Sequence, residues 1–231
     1  MNPASFYCIF DWDGVIIDSS AHHIEGWRRL AEQEELVFPE HLFKQSFGMK
    51  NQEIIPQLWK WTNDAAEINR IDRKKESLYR EIMREKGLVA LPGVKRLLNL
   101  LTLCEIPCAI GSSAPKENVA TGLDLLGFTR YFSTIVTGDD VKLGKPSPHI
   151  FLEAARRLGA APSHCIVFED AVVGVTAGKA AGMTVVAVTN TYPAARLGEA
   201  DRVVDSLEQV KVDILESLLS RAPQSSIINP Q

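Results

Sequence analysis

The sequence predicts an α/β protein, with a doubly wound parallel sheet as its core and a helical domain inserted after the first strand. Three observations carry this. Short apolar runs rich in β-branched residues alternate with helical patterns from about residue 91 onward, the rhythm of parallel βαβ units. About 90 residues separate the first such run from the second, far more than a crossover needs. The separating stretch places apolar residues at helical spacing among many charges, with few β-branched runs.

The first strand is FYCIF, residues 6 to 10, and it leads into Asp11-Trp12-Asp13-Gly14. Asp-Gly between apolar runs is a strong hairpin signal, because both residues tolerate positive φ. Residues two apart on an extended chain point the same way, so Asp11 and Asp13 can equally converge on one ligand. Paired carboxylates at a strand end suit a hard cation such as Mg²⁺. On this stretch alone both readings stand.

Residues 19–88 form the helical insert, through HHIEGWRRLAEQ, NQEIIPQLWKW and RKKESLYREIMREKG. Asp18, or its neighbours Ser19 and Ser20, caps the first of these helices. Trp59 and Trp61 read as packing residues. Pro92-Gly93 marks the return to the core. There the strands are IPCAIGS (106–112), TIVT (134–137), HCIVF (164–168) and TVVAVT (184–189). Between them fall VKRLLNLLTL, ENVATGLDLLG, HIFLEAARRLG and VGVTAGKAAG, several closing on glycine as helix C-termini often do. The result is an open, Rossmann-like sheet with helices on both faces. The expected division is a core of residues 1–18 and 89–224, an insert of residues 19–88 and a flexible tail at 225–231.

With 231 residues, 45% of them hydrophobic, the chain can bury a real core in one or two domains. A net charge of -4 without lysine or arginine blocks excludes the basic field that nucleic acid or an anionic membrane surface requires. Small molecules are the expected partners. Cys8, Cys104, Cys108 and Cys165 lie mostly in apolar runs without zinc-type spacing, so buried free thiols are expected. The start MNPASFYCIFDWDG lacks the features of a signal peptide, and no stretch approaches about 18 consecutive apolar residues. A cytoplasmic setting is the expectation.

In open α/β sheets ligands bind beyond the carboxyl ends of the strands. Those positions hold Asp11 and Asp13, then Ser112 and Ser113, then Asp139, Asp140 and Lys145, then Glu169 and Asp170. Singly, each has a structural account as a helix cap, a dipole partner or a loop residue. Together, four carboxylates around one point repel unless a cation sits there, and a lysine with hydroxyls beside them accepts an anion such as phosphate.

The ordered set DWDGV, GSS, GKP and ED, with a helical insert directly after the first, resembles the haloacid dehalogenase superfamily. Within it the chain is most similar to the phosphatase and beta-phosphoglucomutase-like group, whose helical insert is a cap domain. The resemblance spans about residues 5 to 220. It implies that Asp11 is the nucleophile, forming an aspartyl-phosphate, and that Asp13 is first the general acid for the leaving oxygen and then the base for water. Ser112 and Lys145 would hold phosphoryl oxygens, assisted by backbone N–H groups near Trp12 and Ser113. Mg²⁺ would be bound by Asp11, the backbone carbonyl of Asp13, Asp170 and, directly or through water, Glu169. Asp139 and Asp140 would support Lys145 or cap a loop. The resemblance also places a tight backbone twist and a short hairpin flap after the aspartates, so turn and chemistry coexist at Asp13-Gly14.

Phosphatases and mutases of this group share that core set, so the cap must discriminate between them. His23 lies where the mutases carry a histidine that contacts the acid-base aspartate, with His22 as the alternative inward-facing residue. The mutases show Lys-Gly-Val-Ser-Arg in a cap loop, both basic residues binding the sugar's other phosphate. This chain reads Phe47-Gly48-Met49-Lys50-Asn51, which places Phe47 and Asn51 at the basic positions. The expectation is therefore a Mg²⁺-dependent phosphatase acting on a small phosphorylated metabolite, with Lys50, Asn51 and Lys116 as substrate contacts, in a monomer or weak homodimer. A phosphosugar mutase is the alternative. An inactive binding protein on the same fold is a third reading, disfavoured because every core position is filled. A cap that admits substrate and excludes water would hinge about residues 15–19 and 87–92.

Overall fold

The computed structural model describes residues 6–46 and 49–221; Phe47, Gly48 and the expected tail at 225–231 lie outside the described residues. Six parallel strands form one sheet: β1 (Tyr7–Phe10), β2 (Cys108–Gly111), β3 (Phe132–Val136), β4 (Cys165–Glu169), β5 (Thr184–Val188) and β6 (Arg202–Val204). Their spatial order is β3-β2-β1-β4-β5-β6, which reverses direction at β1 and so opens a crevice beyond its carboxyl end. The helices are α1 (Ser20–Gln33), α2 (Asn51–Glu53), α3 (Ala65–Lys86), α4 (Val94–Leu103), α5 (Lys116–Leu126), α6 (His149–Leu158), α7 (Val172–Ala180) and α8 (Val212–Arg221).

Alternation along the strands divides the core between two faces. Cys8, Phe10, Ile110, Ile166, Phe168 and Val186 point one way, onto Val94 and Leu97 of α4, Val119 and Leu123 of α5 and Leu215 of α8. Ile9, Ala109, Val167 and Val185 point the other way, onto Ile150, Phe151 and Ala154 of α6 and Val175 of α7. Burial on both faces explains why these strands read as continuous apolar runs. Cys8, Cys108 and Cys165 are buried thiols within them, whereas Cys104, which follows the last turn of α4, is exposed and departs from the expectation. α5 and α6 close on Gly127 and Gly159 in the left-handed conformation.

The insert is helical, with Trp27, Leu30, Phe43, Ile55, Trp59 and Ile71 forming a core of its own. Trp59 and Trp61 each set an edge against the ring of Trp27, at 5.7 and 5.6 Å. The middle helical pattern breaks up: α2 is a single turn that widens into a π-helical segment at Ile54–Trp59, because Pro56 has no N–H for an α-helical bond. Asp64 caps α3 by accepting from the Glu67 N–H at 2.8 Å. At the start of α1 the cap residue is Ser19, but the side chain that does the work is Asp18, which accepts from the Ser20 N–H at 3.0 Å.

Two short connections join insert and core. Leu91 donates its N–H to the Ile16 carbonyl at 2.9 Å, and His22 Nε2 lies 2.9 Å from the Gly87 carbonyl oxygen. Among the described residues no helix is long and apolar enough to cross a membrane.

Candidate active site

β1 delivers Asp11 to the rim at the point where strand order reverses, and its N–H donates to the Phe168 carbonyl at 3.0 Å, tying it to the neighbouring β4. The chain then turns sharply. Gly14 has φ +78° and donates its N–H to the Ile17 carbonyl at 2.7 Å, with single bridges at Ile17 in place of an extended hairpin flap. Glycine is required here twice over, since a Cβ at position 14 would sit 1.9 Å from Asp170 Oδ2. The bare Cα of Gly14 leaves room for the Asp170 carboxylate beside the turn.

β4 contributes Glu169 and Asp170. Glu169 Oε2 accepts from the N–H groups of Asp170 and Ala171 at 2.9 and 3.1 Å, and a Cβ on Gly174 would fall 1.8 Å from Glu169 Oε1. The loop after β3 brings in Lys145, whose Nζ lies 2.9 Å from Asp11 Oδ1 and hydrogen-bonds Glu169 Oε1. One lysine thus holds two of three buried carboxylates. Oxygens of Asp11, Glu169 and Asp170 all come within 4.8 Å of one another.

The electrostatics follow from this crowding. Burial pushes the Asp11 carboxyl up to about 7, with Lys145 pulling it down and Glu169 adding to the rise. Burial, then the charges of Glu169 and Asp11, drive Asp170 well above the usual carboxylate range. Burial opposes the charge of Lys145, but the two carboxylates against it hold its ammonium well above the ordinary lysine range. One ammonium does not balance three buried carboxylates, and an all-oxygen donor set of this kind fits a hard divalent cation.

Ser112 follows β2, next to β1, and is buried, its Oγ accepting from the Ala114 N–H at 3.1 Å. Ser113 is half-buried, and a Cβ on Gly138 would lie 2.5 Å from its carbonyl oxygen. Asp139 and Asp140 cap their loop: Asp139 accepts from the Lys116 N–H at 2.8 Å, while Asp140 closes a capping box with Thr137 and pairs with Arg157 at 2.7 Å.

The cap supplies the opposite wall. His23, not His22, faces Asp13, its Nε2 lying 3.9 Å from Asp13 Oδ1 and its ring stacked on Tyr79 at 4.0 Å. Its Nδ1 lies 2.7 Å from the Nζ of Lys75. An ammonium can only donate, so Nδ1 accepts and the ring proton sits on Nε2, toward Asp13. Burial, with Lys75 next, lowers the His23 pKa, and the imidazole is neutral at neutral pH. Burial would raise Asp13, but the contacts with His23 and Ser19 and the charge of Lys75 together outweigh it and hold the carboxyl low.

Of the other expected substrate contacts, Lys50 is exposed beside the loop that carries Lys145, and Asn51 and Lys116 have other partners. Lys50 Nζ lies 3.6 Å from where a Gly144 Cβ would stand, next to Lys145. Asn51 is turned into the cap, donating to Asp72 Oδ1 at 2.7 Å and Glu76 Oε1 at 2.6 Å. Lys116 has an exposed side chain and joins the loop through its backbone.

Sequence reasoning missed Lys75 and Glu76, which are 2% and 7% exposed. The signal was present in α3. Ile71, Leu78, Tyr79 and Ile82 form its buried stripe, and Lys75 occupies the place in that stripe where an apolar residue belongs.

Comparison with known proteins agrees with this geometry. The family model of haloacid dehalogenase-like hydrolases matches residues 7–182. The chain is 31% identical over 213 residues to the chloroplastic 5-amino-6-(5-phospho-D-ribitylamino)uracil phosphatase of Arabidopsis thaliana, a match covering 91% of this chain but only 57% of that protein. It is 33% identical to hexitol phosphatase A of Escherichia coli, over 88% of this chain and 92% of the relative. A crystal structure of beta-phosphoglucomutase from Clostridium difficile superimposes with a TM-score of 0.81 at 28% identity, over 93% of this chain and 96% of that one. The chain belongs to the haloacid dehalogenase-like hydrolase family, on the branch whose members resemble beta-phosphoglucomutase.

Proposed function

We propose that this protein is a Mg²⁺-dependent phosphatase that hydrolyses a small phosphate monoester, of the sugar or polyol phosphate kind, through an aspartyl-phosphate on Asp11. The observation that supports it best is the meeting of Asp11, Lys145, Glu169 and Asp170 at one rim, opposite a cap that aims His23 at Asp13. Mg²⁺, held by Asp11, Asp170 and the Asp13 carbonyl, with Glu169 directly or through water, would neutralise the phosphoryl oxygens.

The chain's own residues do the rest. Ser112 and Lys145 hold the phosphoryl group in line with an Asp11 oxygen. The Asp11 oxygen attacks phosphorus, the ester P–O bond breaks, and Asp13, which is held ionised until the anionic substrate enters and then takes up one proton, gives that proton to the departing alkoxide. Water then enters; Asp13 takes a proton from it, the new O–P bond forms, and the Asp11–phosphorus bond breaks to release phosphate. One carboxyl serves both steps because the leaving group gains one proton and the water loses one. The neutral His23, with its N–H directed at Asp13, steadies the ionised form between them.

The likeness to beta-phosphoglucomutase favours a second reading, phosphosugar mutase. A mutase must hold a bisphosphate by either end, and among the described cap residues Asn51, at one of the two expected basic positions, is not free to hold the far phosphate. Asn51 is engaged with two carboxylates, and Lys50 is exposed beside Gly144.

Phosphate release across a panel of phosphorylated sugars and polyols, with and without Mg²⁺, tests the reading, with β-glucose 1-phosphate plus a trace of its bisphosphate assayed for glucose 6-phosphate. Mg²⁺-dependent release from one compound class is the expected result. Glucose 6-phosphate appearing without net phosphate would establish the mutase.

A further inference from the structure

Helix α3 of the cap lies against helix α5 of the core, and the contact between them is polar and buried. Asn118 of α5 is 1% exposed. Its Nδ2 donates to Glu76 Oε2 at 2.5 Å, and its Oδ1 accepts from Arg80 Nη1 at 2.9 Å. Arg80 also pairs with Glu117 of α5 at 3.0 Å. The other oxygen of Glu76 accepts from Lys75 Nζ at 2.7 Å, and Lys75 in turn holds His23 Nδ1 at 2.7 Å. Beyond His23 stands Asp13, 3.9 Å away and back in the core.

These contacts form a closed circuit, from the core through the cap and back to the core. Four of its five members sit on helices. Lys75 is buried beside the rings of Trp27 and Tyr79, at 5.4 and 5.2 Å, which favour its ammonium where it stands. Glu76 spends its two oxygens on Lys75, Asn51 and Asn118. If Asn118 is withdrawn, Glu76 Oε2 is a buried carboxylate oxygen without its donor, and the carboxylate must turn, taking Lys75 with it.

We propose that Asn118 is a positioning residue: by grasping Glu76 only when the cap is docked, it makes the placement of Lys75 and His23 over Asp13 conditional on closure. Asp13 is thereby equipped for proton transfer in the closed state and loses that support as α3 leaves α5. The inference rests on the reading of Asp13 as the acid-base group.

An aryl phosphate with a good leaving group separates the two steps. Departure of a nitrophenolate needs no proton, so formation of the aspartyl-phosphate does not depend on Asp13; its hydrolysis needs Asp13 as base. In rapid-mixing experiments on the intact protein with Mg²⁺, N118A should keep the burst rate of the unsubstituted protein while steady-state turnover falls about 10- to 100-fold. A uniform fall in both phases, or no change in either, would overturn the proposal, since a structural role has no reason to single out the second step. If N118A does not fold, N118D and the double variant E76Q/N118D decide. N118D opposes two carboxylates, and in the double variant the new amide donates to the new carboxylate while its oxygen still faces Lys75. The double variant should recover most of the turnover that N118D loses; a double variant no better than N118D would overturn the proposal. Absence of any burst or turnover in the unsubstituted protein would instead overturn the phosphatase reading itself, and the inference with it.

Discussion

Asp11→Asn should lower kcat by about 10⁴-fold or more while leaving the fold intact, because an amide cannot form the phosphoryl ester and the other groups act through that bond. Circular dichroism and steady-state rates on the same preparation check it. The stability side is equally specific. The native state holds the Asp11 carboxyl at about 7 against an ordinary 3.8. A raised carboxyl binds its proton more tightly folded than unfolded, so its contribution is full below the ordinary value and is lost as pH rises toward 7. The asparagine variant escapes that loss. In chelator at pH 8 its Tm should therefore be no lower than that of the unsubstituted protein, and a clear drop would contradict the account of a crowded, charge-strained cluster.

Lys145→Met should act the other way. The methionine fills a similar volume but leaves Asp11 and Glu169 buried without their cation. Removing one partner of a buried ionic set destabilises by about 3–5 kcal/mol, far more than loss of a surface pair. Turnover should collapse with it, since the phosphoryl group loses its fixed cation. Added Mg²⁺ should raise the Tm of this variant more than that of the unsubstituted protein, because the cation then meets carboxylates that nothing else neutralises. Denaturant melts with and without Mg²⁺ decide the matter; equal stability of the two proteins in chelator would remove Lys145 from the centre of the charge balance.

The core of the site was legible in the sequence because parallel sheets concentrate function at strand ends. Once FYCIF, IPCAIGS and HCIVF are recognised as strands, Asp11, Ser112 and Glu169 fall at their carboxyl ends by counting alone. Sheet order needed the three-dimensional structure, and β6 escaped because its three residues, Arg202–Val204, are too few to show alternation. The cap was harder. Lys75 and Glu76 read as two more charges in a charged helix, and only the stripe formed by Ile71, Leu78 and Ile82 reveals that Lys75 points inward. Asn51 illustrates the converse. Its place in the chain beside the cap loop suggests a substrate contact, but Asp72 and Glu76, 21 and 25 residues further on, claim its amide. Side-chain partners at that separation are fixed by helix packing, which local sequence does not encode.

The division of labour between Asp11 and Asp13 is the centre of the account, and Asp13→Asn treated with a nitrophenyl phosphate tests it most directly. The leaving group departs unaided, so Asp11 should still be phosphorylated, but no base remains to activate water. The predicted result is a burst of nitrophenolate equal to the enzyme present, followed by near-arrest, with one phosphoryl group recovered on the peptide containing Asp11 after acid quench. Continued turnover at the rate of the unsubstituted protein, or a phosphoryl group on any other residue, would contradict it.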